Sequence, residues 1–140
     1  MVVKPSKVVF DTNIFVSAIL FGGNPKEILE IAKSQEIQLI TSREILLELA
    51  KKLHEKFAWN QVDVKDTIEG IGIFAKVVRP IKRFHKIKQD PSDNKVLECA
   101  REGSADFIIS GDKRHILPLK RFGRTRIVSA TEFLRMFESN

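Results

Sequence analysis

The run Lys7–Phe10 (KVVF) does most to limit what this chain folds into. After its lysine it is β-branched or aromatic at every position, without the polar alternation of a strand that shows one face to water. Such a strand is buried on both faces, which places it inside a sheet covered by helices. Further strand-like runs follow at Ile37–Ile40, Val77–Arg79, Phe107–Ser110 and Arg126–Val128, with helical patterns between them. After a first helical stretch, a second opens at Asn24-Pro25-Lys26-Glu27, with Asn24 as N-cap, Pro25 at the first helical position and Glu27 three residues after the cap. Ser42 is expected to cap a helix reaching about Lys56, and another covers about Val62–Ala75, weakened by Gly70 and Gly72. A helix begins near Ser92 or Asp93 and ends at Gly103, and a Ser129…Glu132 capping box opens the last one. The order β, α, β, α, β, α, β, β, α predicts an α/β fold with a mostly parallel sheet and helices on both faces. A length of 140 residues fits a single domain, 1–140.

Composition narrows the functional classes. Lys and Arg number 24 against 18 Asp and Glu, a formal net charge of +6, and this suits a polyanionic partner whose counterions are released on binding. The lone Cys99 permits no disulfide framework, and its neighbours Val96, Leu97 and Ala100 mark it as a packing residue. His54, His85 and His115 lack zinc-ligand spacing. The N-terminal residues run straight into a strand without a signal peptide's apolar region, and the apolar stretch around Ile14 to Phe21 is too short to span a bilayer. A cytoplasmic protein with no membrane association is the expectation.

Candidate chemistry rests on acidic residues. Asp11 directly follows the first strand, and Asp112 follows the fourth by two residues, beyond the carboxyl ends where open α/β sheets build their sites. Glu48 lies on a helix among Leu46, Leu47, Leu49 and Ala50, and Asp93 stands at a helix start within Asp90-Pro91-Ser92-Asp93-Asn94. Each has a plainer use: Asp11 as an N-cap, Glu48 as a solvated helical acid, Asp93 as a charge favoured by the helix dipole. Brought together, such carboxylates would repel one another unless a cation joined them. Oxygen ligands of this kind suit Mg²⁺ or Mn²⁺, which can activate a water, orient a phosphodiester and stabilise its leaving oxygen. No Ser-His-Asp arrangement competes as a nucleophilic site.

In order and spacing, the segments VVFDTNIFVSAIL, SREILLELAKKL, DPSDNKVLECAREGSADFIISGD and RIVSATEFL resemble the PIN-domain ribonucleases, in the group related to VapC-type toxins of toxin–antitoxin pairs. The likeness runs from Val8 to about Phe133. It implies a three-layer α/β/α PIN-like fold, its five-stranded sheet in the order 3-2-1-4-5, and a metal-dependent endoribonuclease that cuts single-stranded RNA. It also implies Asp11, Glu48, Asp93 and Asp112 as catalytic and metal-binding positions, with Thr12 or Asn13 and Ser110 as accompanying polar residues. Asp90 is the alternative to Asp93, which is preferred because the helix follows it directly; Glu44 is the lesser alternative to Glu48. Mg²⁺ or Mn²⁺ as cofactor, a homodimer and a small antitoxin protein complete what the resemblance implies.

Basic residues crowd the acidic segments. Lys82, Arg83 and Lys86, with His85 and Lys88, precede Asp93, while Lys113 and Arg114 follow Asp112, and together they could form a positive rim that guides RNA. Phe57 and Trp59 read as helix-hairpin packing or a dimer contact, with base stacking as the other use. Two further functional classes are weighed. A non-catalytic RNA-binding or interaction module would use the same fold. A phosphoryl-transfer enzyme of the haloacid-dehalogenase kind would need a second Asp at the position of Asn13, and a response-regulator receiver would need an acidic pair near the first strand.

Overall fold

The computed structural model describes residues 5–81 and 91–139, with the backbone alone for residues 91–93. In chain order the elements are β1 (Lys7–Phe10), α1 (Thr12–Leu20), α2 (Gly23–Lys33), β2 (Gln38–Ser42), α3 (Arg43–Glu55), α4 (Gln61–Phe74), β3 (Lys76–Val78), α5 (Pro91–Glu102), β4 (Phe107–Ile109), β5 (Arg121–Phe122), β6 (Thr125–Val128) and α6 (Ala130–Glu138). The strands form one sheet in the order β3-β2-β1-β4-β6-β5. All pairings are parallel except that of β5 with β6.

The expected sheet is present, with one strand more than foreseen. β5 is a two-residue edge strand joined to β6 through Gly123, whose φ of 59° meets the left-handed requirement of so tight a connection. Two residues carry too short a pattern to be read from sequence. Set this edge aside and the remaining order, 3-2-1-4 and then the strand before the last helix, is the expected one.

β1 sits at the centre, and its Val8, Val9 and Phe10 are completely buried. β2 and β3 are reached by stepping to one side of it, β4 by stepping back across it. Right-handed crossovers then put α1 to α4 on one face of the sheet and α5 on the other. The packing agrees: α5 lies on β1, β2 and β4, while α1 packs on α2 and α3, and α6 joins α2. The direction of travel reverses between β1 and β4, so a crevice opens at their carboxyl ends. The register sets Phe10 beside Ile109, which makes Asp11 the neighbour of Ser110.

Helix starts follow the capping rules at most places. Asp11, Ser42, Asn60 and Ser129 each accept a hydrogen bond from a backbone N–H in the first turn, and Ser129 with Glu132 closes the capping box. α2 departs from expectation. It begins at Gly23 after Gly22, whose φ of 80° suits only glycine, and Asn24 donates instead to Thr131 Oγ1 at 3.0 Å, tying α2 to α6. An Asn-Pro pair reads as a start signal, but the two preceding glycines let the helix begin earlier.

Gly103 serves packing as much as helix termination. A Cβ there would lie 2.7 Å from Ile40 Cγ2, a side chain with no exposed surface and no room to yield. The left-handed residue after α5 is Ser104, with φ 51°. Gly103→Ala is therefore expected to destabilise the fold by about 1–3 kcal/mol, as overpacking of a filled core does; a urea midpoint equal to wild type would show that α5 can lift off β2 at no cost.

Candidate functional site

Asp11 leaves β1 at the crevice with 5% of its surface exposed. Its backbone N–H still donates to Ile109 O at 3.1 Å, so the carboxylate stands on the last rung of the sheet. Oδ1 accepts from the Ile14 N–H at 2.8 Å, capping α1, and Oδ2 accepts from Ser110 Oγ. Burial pushes the Asp11 carboxyl above its usual value. The hydrogen bonds from Ser110, Ile14 and Gly111 pull the other way, and the charge of Asp112 adds to the rise.

Ser110 is completely buried and joins the two aspartates: its hydroxyl donates to Asp11 and accepts from the Asp112 N–H at 3.0 Å. Asp112 is itself held by its own loop. Its Oδ1 accepts from the N–H groups of Arg114 and His115 at 2.9 and 3.0 Å, and its Oδ2 lies 3.5 Å from His115 Nδ1. A carboxylate held in this way keeps its orientation whether or not a ligand is bound.

Glu48 comes to the same crevice from α3. Its Oε2 accepts from Thr12 Oγ1, the side chain next to Asp11, and Thr12 is buried. Asn13, exposed, accepts at Oδ1 from Lys52 Nζ at 2.9 Å. Glu44, one turn before Glu48, turns elsewhere: it lies near Cys99, and its Oε2 is shielded from water with no hydrogen-bond partner among the described residues. Burial pushes the Cys99 thiol up to about 12, with Glu44 adding to the rise and Ser42 opposing it, so no thiolate forms at neutral pH.

Asp93 lies in the first turn of α5. Its side chain, with Asp90, Lys82, Arg83, His85, Lys86 and Lys88, is outside the described residues. Lys113 and Arg114 are exposed on the loop after β4, and the Arg114 N–H is one of those that hold Asp112. Phe57 and Trp59 are partly buried against the core, the packing use expected of them. Lys52 was not among the candidates, since a lysine one turn beyond a glutamate on a helix is the commonest of surface patterns.

Asp11, Asp112 and Glu48 supply hard oxygen donors around one crevice. Among the described residues no three His, Cys, Asp or Glu side chains close into a cluster able to enclose a metal unaided. The donor set still fits Mg²⁺ or Mn²⁺, because such ions keep several waters and take one or two carboxylates together with substrate phosphates. The burial that raises the Asp11 carboxyl above its usual value is a cost that a cation bound beside it would offset. Among the described residues, no helix is long and apolar enough to cross a membrane.

Comparison with known proteins places this arrangement. A protein of Methanocaldococcus jannaschii of unassigned activity is 34% identical over 113 residues, covering 76% of this chain and 71% of that protein. Among solved structures, VapBC-1 of nontypeable Haemophilus influenzae overlays with a TM-score of 0.64 at 17% identity, covering 89% of this chain and 98% of that one. VapBC2 of Rickettsia felis, solved bound to a DNA fragment from its promoter, gives 0.62 at 14% identity over 86% and 96%. PAE2754 of Pyrobaculum aerophilum gives 0.60 at 11% identity over 96% and 91%. At these identities the structural matches show a shared fold. The PIN-domain family profile matches residues 7–114, a span that holds Asp11, Glu48, Asp93 and Asp112 and ends within the loop that fixes Asp112. With its sheet, its crevice and that match in agreement, the chain belongs to the PIN-domain family.

Proposed function

We propose that this PIN domain is a metal-dependent endoribonuclease acting on single-stranded RNA, with Asp11, Glu48, Asp93 and Asp112 as its acidic residues. PIN domains are generally nucleases that use divalent metal ions. The observation that carries the reading is the linkage of Asp11 to Asp112 through the buried Ser110 hydroxyl, with Glu48 joined to the neighbouring Thr12. In the crevice Asp11 and Asp112 are the residues to hold Mg²⁺ or Mn²⁺, completed by Glu48 and Asp93. The bound ion would supply Lewis-acid polarisation of the phosphodiester and a more acidic water. Ser110 fixes the spacing of the two aspartates, Thr12 keeps Glu48 turned toward them, and the loop N–H groups of Arg114 and His115 hold Asp112 in place. Lys113 and Arg114, with Lys82, Arg83 and Lys86, are the residues proposed to meet RNA phosphates.

The likeness to VapBC complexes supports a further reading as the toxin of a toxin–antitoxin pair with an antitoxin partner; a small antitoxin that blocks the site, a homodimer and a cytoplasmic location are proposed with it from the family resemblance. Growth arrest on expression of this chain alone, relieved by the neighbouring gene, is the expected sign. The activity itself is tested with a fluorogenic single-stranded RNA in Mn²⁺, Mg²⁺ or EDTA. Cleavage is expected with either metal, none in EDTA, and a loss of about 100-fold in Glu48→Gln, near 2.7 kcal/mol of barrier. Full activity in EDTA would sink the metal reading. RNA binding without cleavage in any condition would instead identify a non-catalytic RNA-binding module.

A further inference from the structure

A line of side chains leads away from the acids along the seam between α1 and α3. Glu48 and Lys52 stand four residues apart on α3, and Lys56 follows after four more at its C-cap, so all three lie on one stripe. α1 answers them in order. Thr12 meets Glu48, Asn13 accepts from Lys52 Nζ at 2.9 Å, and at the far end Phe21 meets Phe57, its ring centroid 6.3 Å away and the planes at 72°. Lys56 Nζ lies 5.8 Å over the Phe57 ring. The two helices therefore run side by side in one direction. From Asn13 to Phe21 the seam covers about 12 Å of helix.

Both lysines keep their charge available. Lys52 is bonded to a neutral amide oxygen and Lys56 to an aromatic face, and neither takes part in an ion pair among the described residues. Phe21 is 73% exposed, with Phe57 supporting it from the side. Ammonium groups near an acidic crevice, followed by an open aromatic ring, match a chain of alternating phosphates and flat faces. Lysine is a compact point charge for phosphate, and an unpaired base stacks on an aromatic side chain. Bases inside a duplex cannot reach such a ring.

We infer that the α1–α3 seam is the track along which single-stranded RNA leaves the crevice, with Lys52 and Lys56 contacting phosphates and Phe21 carrying a stacked base. The inference rests on the ribonuclease reading and adds the path of its substrate. Continuity favours RNA over a protein partner as occupant, since the stripe of α3 that bears Glu48 also bears both lysines.

The test is fluorescence anisotropy of a labelled single-stranded RNA oligonucleotide on the non-cleaving Asp11→Asn protein, titrated across KCl concentrations. Lys51, which lies in the groove between α3 and α4, provides the control. Phe21→Ala is expected to weaken binding about fivefold or more without changing its salt dependence, because stacking is not ionic. Lys52→Met is expected to flatten the slope of log Kd against log[KCl] by about 0.7, the share of one phosphate contact on a single strand, and Lys52→Arg to restore it. Loss of the Asn13 hydrogen bond alone would not move that slope. Phe21→Ala and Lys52→Met variants that both bind like Lys51→Met would overturn the track while leaving the ribonuclease reading intact. Failure of the parent protein to bind RNA at low salt would overturn both.

Discussion

Asp11→Asn is expected to abolish metal-dependent RNA cleavage, by about 100-fold or more, and at the same time to raise the melting temperature measured in EDTA at pH 7. The two effects share one cause. Burial holds the Asp11 carboxyl above its ordinary value, so at pH above the unfolded value this side chain costs the folded protein stability that a neutral amide would not. Asparagine removes the charge but still offers an oxygen to the Ile14 N–H, and its amide can donate to Ser110 Oγ, so the cap of α1 survives. The sign of the pH dependence follows. An unfolded Asp11 titrates near the model value of 3.8 and the folded one higher, so the folded protein holds this proton more tightly. The stability it contributes is present in full below the unfolded value and is lost as pH rises through the folded one. The advantage of the Asn variant should thus grow through that interval and vanish below it. Mn²⁺ should raise the melting temperature of wild type and leave the variant nearly unmoved. A variant less stable than wild type in EDTA at pH 7 would mean that the hydrogen bonds to Asp11 outweigh its desolvation.

Phe15→Ala carries the largest expected cost to stability, about 3–5 kcal/mol. Phe15 is completely buried on α1 and meets the equally buried Phe10 at a centroid distance of 5.1 Å with the planes tilted by 57°. Truncation removes the ring and opens a cavity against the central strand, where the surrounding sheet cannot collapse. Domains commonly hold only about 5–15 kcal/mol in total, so the variant should unfold at much lower urea with an unchanged m-value. Because Phe15 packs on Phe10, the residue before Asp11, and its N–H donates to Asp11 O at 3.4 Å in the first turn of α1, cleavage should fall even under conditions where the variant stays folded. A urea midpoint within experimental error of wild type would contradict the cavity argument.

The sequence was most legible where local chemistry decides the outcome. The run Lys7–Phe10 is the observed β1 to the residue, and the caps at Ser42 and Ser129 stand where a hydroxyl before an amphipathic run belongs. Asp11 and Asp112 can be placed at the crevice because strand ends in a parallel sheet have a fixed meaning. Glu48 stands out in the sequence by its apolar neighbours Leu46, Leu47, Leu49 and Ala50, and the resemblance leaves Glu44 as the lesser alternative; where each points is set by the packing of α3, which turns Glu48 toward Thr12 and Glu44 toward Cys99. What escaped depended on pairing across distance. The edge strand β5 exists because β6 is there to receive it, and Asn24 gives up its expected cap for Thr131, 107 positions away along the chain. Lys52 was invisible for the same reason, as its use is set by Asn13 on another helix.

Ser110 has a consequence for how this frame can diversify. Its single proton spans the gap between two adjacent strand ends, so the approach of Ser110 to Asp11 is set by the hydrogen-bonded spacing of β1 and β4, and the same hydroxyl accepts from the Asp112 N–H. That spacing is common to every sheet and cannot be widened without unzipping the centre of the domain. Descendants of this chain that come to prefer different ligands would thus inherit the two strand ends unaltered. Novelty would have to be written in the helices and loops around them, leaving the gauge between the two strand ends as the slowest-changing dimension of the molecule.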